Sequence, residues 1–290
     1  MRIAFIFLLS IICFASSAQS EVKQELDFYG DVMIYAYESE HRLTAAQKFK
    51  SLFDDYISNT AFVDDDLKWL KWVSVLYPEN ESFRLVSWQV KENDGKHHYY
   101  GFVQFSDGKR IDLNGGDEYW NKIAYDQREA DDCPMVMYYN MKQLSENKYL
   151  LFGINEFNEF EKVKVADVLV ISDDQEIQFG APVFDHKGED PKYRLVLQYA
   201  DDAVVSLNYN EDLNLLIYDH LISRMGRIPN QGVTSLPDGS YEAYKIEGDK
   251  LTYIEKVYDH VFEQAPRPVP KDESKDAKDI FGKTKKKKGS

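Results

Sequence analysis

Apolar residues recur along most of this chain at spacings of two, in short runs closed by turn residues. The densest part lies between Tyr149 and Phe184. There Tyr149 to Phe152, Val163 to Ile171 and Ile177 to Phe179 are three apolar runs, separated by Gly153, Asn155-Glu156 and Ser172-Asp173-Asp174. Runs of this length, rich in β-branched and aromatic residues and bounded by Gly, Asn and Asp, predict antiparallel strands. Gly153 and Gly180 read as turn glycines at the ends of their runs.

The same grammar extends in both directions. Strands are expected at 72–77, 83–90, 97–105, 110–113, 135–143 and 148–152, and again at 193–199, 203–209 and 213–221. Asn93-Asp94-Gly95 and Asp107-Gly108 mark hairpins, because both residues of an Asp-Gly pair accept positive φ. In the run 83–88, Phe83, Leu85 and Ser87 alternate with Arg84, Val86 and Trp88, which predicts one face more buried than the other. A last hairpin, 240–246 with 251–258, turns at Glu247-Gly248-Asp249. The segment 224–239, with Pro229, Gly232 and Pro237, reads as a long loop.

Only the beginning of the chain carries a helical period. Leu43, Ala46, Phe49, Phe53 and Tyr56 recur at three and four, so one helix is expected over 40–57, its apolar stripe on the sheet and Arg42, Gln47, Lys50 and Asp54 on the opposite side. Val32 to Ala36 reads as a first strand, and Glu118 to Glu129 as a short helix. The fold class predicted is mainly β, in antiparallel meanders forming a sandwich or an incomplete propeller-like array, with one N-terminal α-helix.

Both ends depart from this pattern. Met1-Arg2, the apolar run Ile3–Ala15 and the small residues Ser16-Ser17-Ala18 read as a signal peptide cleaved after Ala18, too short to span a bilayer. Ile11 and Ile12 before Cys13 argue against a lipobox. Export leaves Cys133 as the one cysteine of the mature chain, hence without an internal disulfide. From 263 to 290 the sequence turns to Pro, Lys, Asp and Ser, and this segment is expected to be a disordered tail. Residues 19–262 then form a single β-rich domain.

Charge sharpens this picture. The total of −15 is unevenly placed: residues 263–290 hold nine Lys/Arg and five acids, and with Arg2 set aside the body carries −20. Such a body repels nucleic acid. The run Lys285, Lys286, Lys287, Lys288 is the part suited to a peripheral anionic surface.

The chain contains no nucleophile elbow, P-loop, dinucleotide fingerprint, His-Glu-x-x-His or EF-hand loop. Asp131-Asp132 beside Cys133 would raise the thiol's pKa, so an inert thiol is expected. His97 and His98 point to opposite strand faces. The loop with Asp185, His186 and Glu189 is the candidate metal site, and Asp64-Asp65-Asp66 either caps a short helix or holds a cation. The acid pairs at 131–132, 173–174 and 201–202 are explained by turn formation. No cofactor is implied.

The stretches LLFGINEF, VLVISDDQEIQFGAPVF and LNLLIYDHLIS resemble a group of uncharacterised secreted proteins of Bacteroidota, over roughly Phe83 to Tyr258. In that group a YxLLGWDG turn precedes a hairpin ending in FGAPVF and a later I-V-Y-D-H-L strand. The chain departs at Gly153-Ile154-Asn155-Glu156, which lacks the Trp-Asp-Gly. The resemblance implies structural motifs and no activity. The function expected is an exported, periplasmic or extracellular, non-catalytic protein that binds a partner protein or envelope component. The alternatives are a secreted hydrolase of glycan or peptide with acidic site residues, and a cation-dependent adhesion module.

Overall fold

In the computed structural model, residues 20–115, 120, 122–156, 158–226, 229 and 231–257 are described. The signal segment 1–18 and the Lys-rich tail 263–290 lie outside them. Of the short helix expected at 118–129, residues 118, 119 and 121 also lie outside them; the described remainder is not an α-helix but a 3₁₀ turn, Ile123–Tyr125, followed by a short strand, Arg128–Glu129. The described residues belong to one unit closing at Val257.

Strands account for 45% of the structure, which is mainly β with two helices at the N-terminus. Helix α1 covers residues 20–35 and α2 covers Ser39–Asn59. The strand expected at Val32 to Ala36 is therefore the end of α1. A short apolar run does not separate helix from strand by period, and Leu26 and Met33, two turns apart, both reach the core. The predicted helix at 40–57 is present as α2.

Arg42 is not on a solvent face. Its guanidinium is buried and donates to Ala36 O (2.7 Å), Tyr37 O (3.0 Å), Lys91 O (2.6 Å) and Asn93 Oδ1 (2.6 Å). It thus satisfies carbonyls just beyond α1 that the helix leaves unpaired.

Sheet A is the meander β1 (Ser74–Leu76), β2 (Phe83–Lys91), β3 (His97–Phe105) and β4 (Arg110–Leu113). Both expected Asp-Gly hairpins form. Only the glycines are left-handed, Gly95 at φ 87° and Gly108 at φ 96°. Asp94 and Asp107 instead accept the amides of Lys96 (3.0 Å) and Lys109 (2.9 Å).

Sheet B contains β5 (Arg128–Glu129), β6 (Met137–Ser145), β7 (Lys148–Asn155), β8 (Glu161–Ile171) and β9 (Ile177–Phe179), in the order β5-β9-β8-β7-β6. β8 is long enough to take two partners along one edge. Its end at Leu169–Ile171 pairs with β9, and its start at Glu161–Ala166 pairs with β11 (Leu195–Ala200).

Sheet C has the order β10-β15-β14-β13-β12. Its strands are β10 (Phe184–Asp185), β12 (Leu207–Asn210), β13 (Leu215–Met225), β14 (Val233–Glu247) and β15 (Lys250–Ile254). β10 runs parallel to β15 and the other pairs are antiparallel.

Three apolar clusters hold the elements together. Phe83, Leu85 and Val103 of sheet A meet Leu151, Val165 and Leu169 of sheet B. Leu150, Phe152 and Val168, on the opposite face of sheet B, meet Leu216, Tyr244 and Leu251 of sheet C. Val86, Trp88 and Phe102, on the outer face of sheet A, meet Phe49 and Phe53 of α2 and Leu26 of α1. Sheet B is therefore apolar on both faces, which is why its strands read as near-continuous apolar runs. β2 is also buried on both faces, a correction to the one-sided burial expected from its alternation.

Gly153 is not a turn glycine. It sits inside β7, where a Cβ would lie 2.4 Å from Val136 Cγ2. Its role is close approach.

Two polar devices are built into this core. Asp65 is the hub of the Asp64-Asp65-Asp66 run. It pairs with Lys23 of α1, accepts from Tyr56 of α2, and takes the Leu67 amide (2.8 Å) and Trp69 Nε1 (3.0 Å). The other device is the pair Arg194–Asp167, Nε to Oδ2 3.0 Å, with both side chains at 0% exposure. Arg194 also donates to Phe179 O (3.0 Å) and to Ile123 O. Burial pushes the Asp167 carboxyl up and Arg194 opposes the shift.

Candidate functional site

In the segment 224–239, expected as a loop, residues 224–225 and 233–239 are strand and belong to a two-stranded ribbon. β13 and β14 pair from Leu215/Lys245 to Met225/Val233, with a register shift between Asp219 and Leu221. Below the shift β13 also pairs with β12, and β14 with β15. Above it the two strands pair only with each other. Pro237 opposes Leu221 at this junction. It is tolerated because a bulged, two-stranded ladder does not need its missing N–H. The bulge strengthens the local twist and lets the ribbon continue past the sheet. The ribbon is tied to the start of β8, where Gln231 Nε2 donates to Phe160 O (2.9 Å) and Thr234 Oγ1 to Glu161 Oε1 (3.4 Å).

Between this ribbon, the face of sheet C and strand β11 lies a cleft of about 570 Å³. That is within the range of small-molecule sites. Its aromatic wall is a continuous series. Tyr218 and Tyr244 stack at 6.1 Å and 22°, Tyr253 meets Tyr244 at 5.7 Å edge-on, and His186 lies 3.9 Å from Tyr253. Burial raises the hydroxyl pKa of Tyr218, Tyr244 and Tyr253, so these groups remain proton donors.

Three carboxylates line the same cleft: Glu161 from β8, Asp219 from β13 and Glu242 from β14. Glu242 accepts from Tyr253 Oη at 2.7 Å. Glu161 accepts from Gln198 Nε2 at 2.6 Å and from Thr234. Asp219 is 7% exposed and accepts the Ser206 amide. Burial raises the Asp219 carboxyl; the Ser206 amide and Lys164 act against the shift and Asp238 with it. The neighbouring His220 has its Nδ1 2.9 Å from Asp238. The Ser240 hydroxyl, together with the Ser240 amide and His220, holds Asp238 down at about 2.

The structure does not gather the metal candidate of the 185–189 loop. Asp185 pairs with Lys250 (2.7 Å), Glu189 with Lys192 (3.4 Å), and His186 stacks on Tyr253. Among the described residues no group of three His, Cys, Asp or Glu is placed to hold a metal ion. Asp65 of the triple Asp is occupied as the hub described above. Cys133 is fully buried in the cluster between sheets A and B, its Sγ 3.4 Å from Asn114 O. A second, smaller depression of about 380 Å³ is lined by Asp112, Glu129, Asp131 and Glu176.

Sequence reasoning missed Glu161, Asp219 and Glu242, which come from three separated strands. One signal was present: Tyr218-Asp219-His220-Leu221, inside the quoted LNLLIYDHLIS stretch, lines the cleft along its whole length. Among the described residues no helix is long and apolar enough to cross a membrane. Comparison with known protein families, curated proteins and solved structures gave no match.

Proposed function

We propose that this is an exported binding protein of the cell envelope or its surroundings, and that the cleft between β11 and sheet C is its ligand site. The observation that carries the reading is the lining of that cleft. Its tyrosines and carboxylates come from four strands and are each fixed by a neighbour, which is the pre-organisation that recognition requires. The three meanders follow one another face to face, as in an incomplete propeller. A two-sheet sandwich has no place for a middle sheet that is apolar on both sides. Export rests on the Met1–Ala18 segment, and Lys285–Lys288 adds attraction to anionic surfaces of about 1 kcal/mol per Lys at low salt.

The test is a thermal-shift screen of soluble envelope fractions against the wild-type protein and Ser235→Trp, which fills the cleft. A fraction that raises the wild-type midpoint and leaves that of Ser235→Trp unmoved supports the site. Equal shifts in both proteins, or none in any fraction, contradict it.

A hydrolase is the second reading, favoured by the raised carboxyl of Asp219 beside two further acids. A raised carboxyl in a cleft is the kind of group that general-acid catalysis uses. It predicts turnover of glycan or peptide substrates that Asp219→Asn abolishes. Binding without turnover leaves the first reading in place.

A further inference from the structure

Several carboxylates that the fold buries wholly or in part are paired with a cation. Asp65, Asp54, Glu156 and Asp167 each have a Lys, Arg or His within 4.0 Å. Among the described residues, Glu161, Asp219 and Glu242 have none. The cations near the cleft are committed elsewhere. Lys192 pairs with Glu189, His220 with Asp238, and the Lys164 ammonium lies 5.5 Å over the Tyr139 ring, acting on Asp219 only from beyond contact distance. Asp219 is more than nine-tenths buried, and among the described residues a single backbone amide, that of Ser206, donates to its carboxylate. A buried charge without a counter-charge is costly, and native structures rarely keep one without a use.

We infer that the cleft takes an organic cation, a guanidinium or primary ammonium group, with its positive end among Glu161, Asp219 and Glu242 and its stem along Tyr253. This rests on the proposed cleft site and names the chemistry that site selects. The attraction between a positive charge and a partly buried carboxylate is screened less than it would be in water. A guanidinium fits best, because its planar donors match carboxylates in pairs and its face stacks on tyrosine. A neutral polyol would bring the three carboxylates no counter-charge.

The experiment is isothermal titration of the full chain with Nα-acetyl-argininamide and Nα-acetyl-lysinamide. Nα-acetyl-citrullinamide serves as the neutral isostere of the first, and a neutral disaccharide as a further arm. The expected result is binding of the arginine probe, weakened by added salt, with the citrulline probe at least tenfold weaker. Glu242→Gln should weaken the arginine probe at least tenfold. This half-buried side chain keeps an acceptor for Tyr253 after the change, so the variant stays folded. Equal affinity for the arginine and citrulline probes, or an unchanged affinity in Glu242→Gln, overturns the inference. If the disaccharide binds wild type and not Ser235→Trp while no cation binds, the cation inference fails and the cleft reading stands. If no probe binds and the envelope screen is also blank, both fail.

Discussion

Asp167 and Asp219 are two buried aspartates on long strands of neighbouring sheets, and the protein treats them in opposite ways. Asp167 faces Arg194 at 3.0 Å, with neither side chain exposed. The arginine's remaining donors reach carbonyls at 123 and 179, so the pair fastens the 3₁₀ turn and β9 to β8. Asp219 meets a backbone amide and looks into a cleft. Burial pushes both carboxyls up, but only Asp167 has a cation in contact. A carboxylate paired inside the core serves the fold, whereas one left unpaired at the wall of a cleft is available to a ligand.

The largest way to break the comparison is to unpair the core. Asp167→Ala leaves an arginine that cannot deprotonate buried without its partner, and the expected loss is about 3–5 kcal/mol in denaturant unfolding. Asp167→Ala with Arg194→Met should recover much of that loss, because no charge then remains buried. Glu242→Gln in the cleft should change stability by no more than about 0.5 kcal/mol. A cleft substitution as costly as the core one would remove the distinction.

Next in size is the packing that separates the two faces of sheet B. Gly153→Ala drives a methyl into Val136, with an expected cost of about 1–3 kcal/mol. The cleft, on the far side of sheet B, should keep its ligand affinity.

Acid sharpens the contrast more gently. Burial raises the Asp65 and Asp54 carboxyls, but Lys23 and Tyr56 outweigh it at Asp65 and Lys50 and Arg110 at Asp54, so both end lowered. Glu156 is lowered chiefly by its hydrogen bond with His97. A lowered carboxyl binds fewer protons folded than unfolded. Its stabilisation is therefore complete above the unfolded value, near pH 4, and is lost as pH falls through the folded value. Asp167 and Asp219 have the opposite sign, since their raised carboxyls are relieved by protonation. The melting midpoint should thus fall from about pH 5 to pH 3, and fall less steeply in Asp65→Asn. A midpoint independent of pH in that window would contradict the pairing described.

The hairpins at 92–97 and 105–110 and the strands of sheet B were legible because turn chemistry and apolar runs are local. Val32 to Ala36 was misread because an unbroken apolar run of five residues fits either a strand or the end of a helix. The strand residues 233–239 were read as part of a loop at 224–239 because Pro237 marks a turn except in a bulged ladder with open edges, whereas Gly232, at φ 75°, does lie outside the strands. The cleft was not legible at all. A period of two does not say that β8, β13 and β14 bring Glu161, Asp219 and Glu242 to the lining of one cleft. Nor does it show that Asp185, His186 and Glu189, adjacent in sequence, are each drawn to a different partner.

The central claim is that the cleft holds a buried carboxylate awaiting a cation, and the titration of Asp219 tests it most directly. Side-chain carboxyl NMR of the free protein should place Asp219 above the usual aspartate range. Saturation with Nα-acetyl-argininamide should then bring it down, while Asp167 stays where it was. An Asp219 that titrates at or below the ordinary value in the free protein, or one that ignores the cation, would contradict the account.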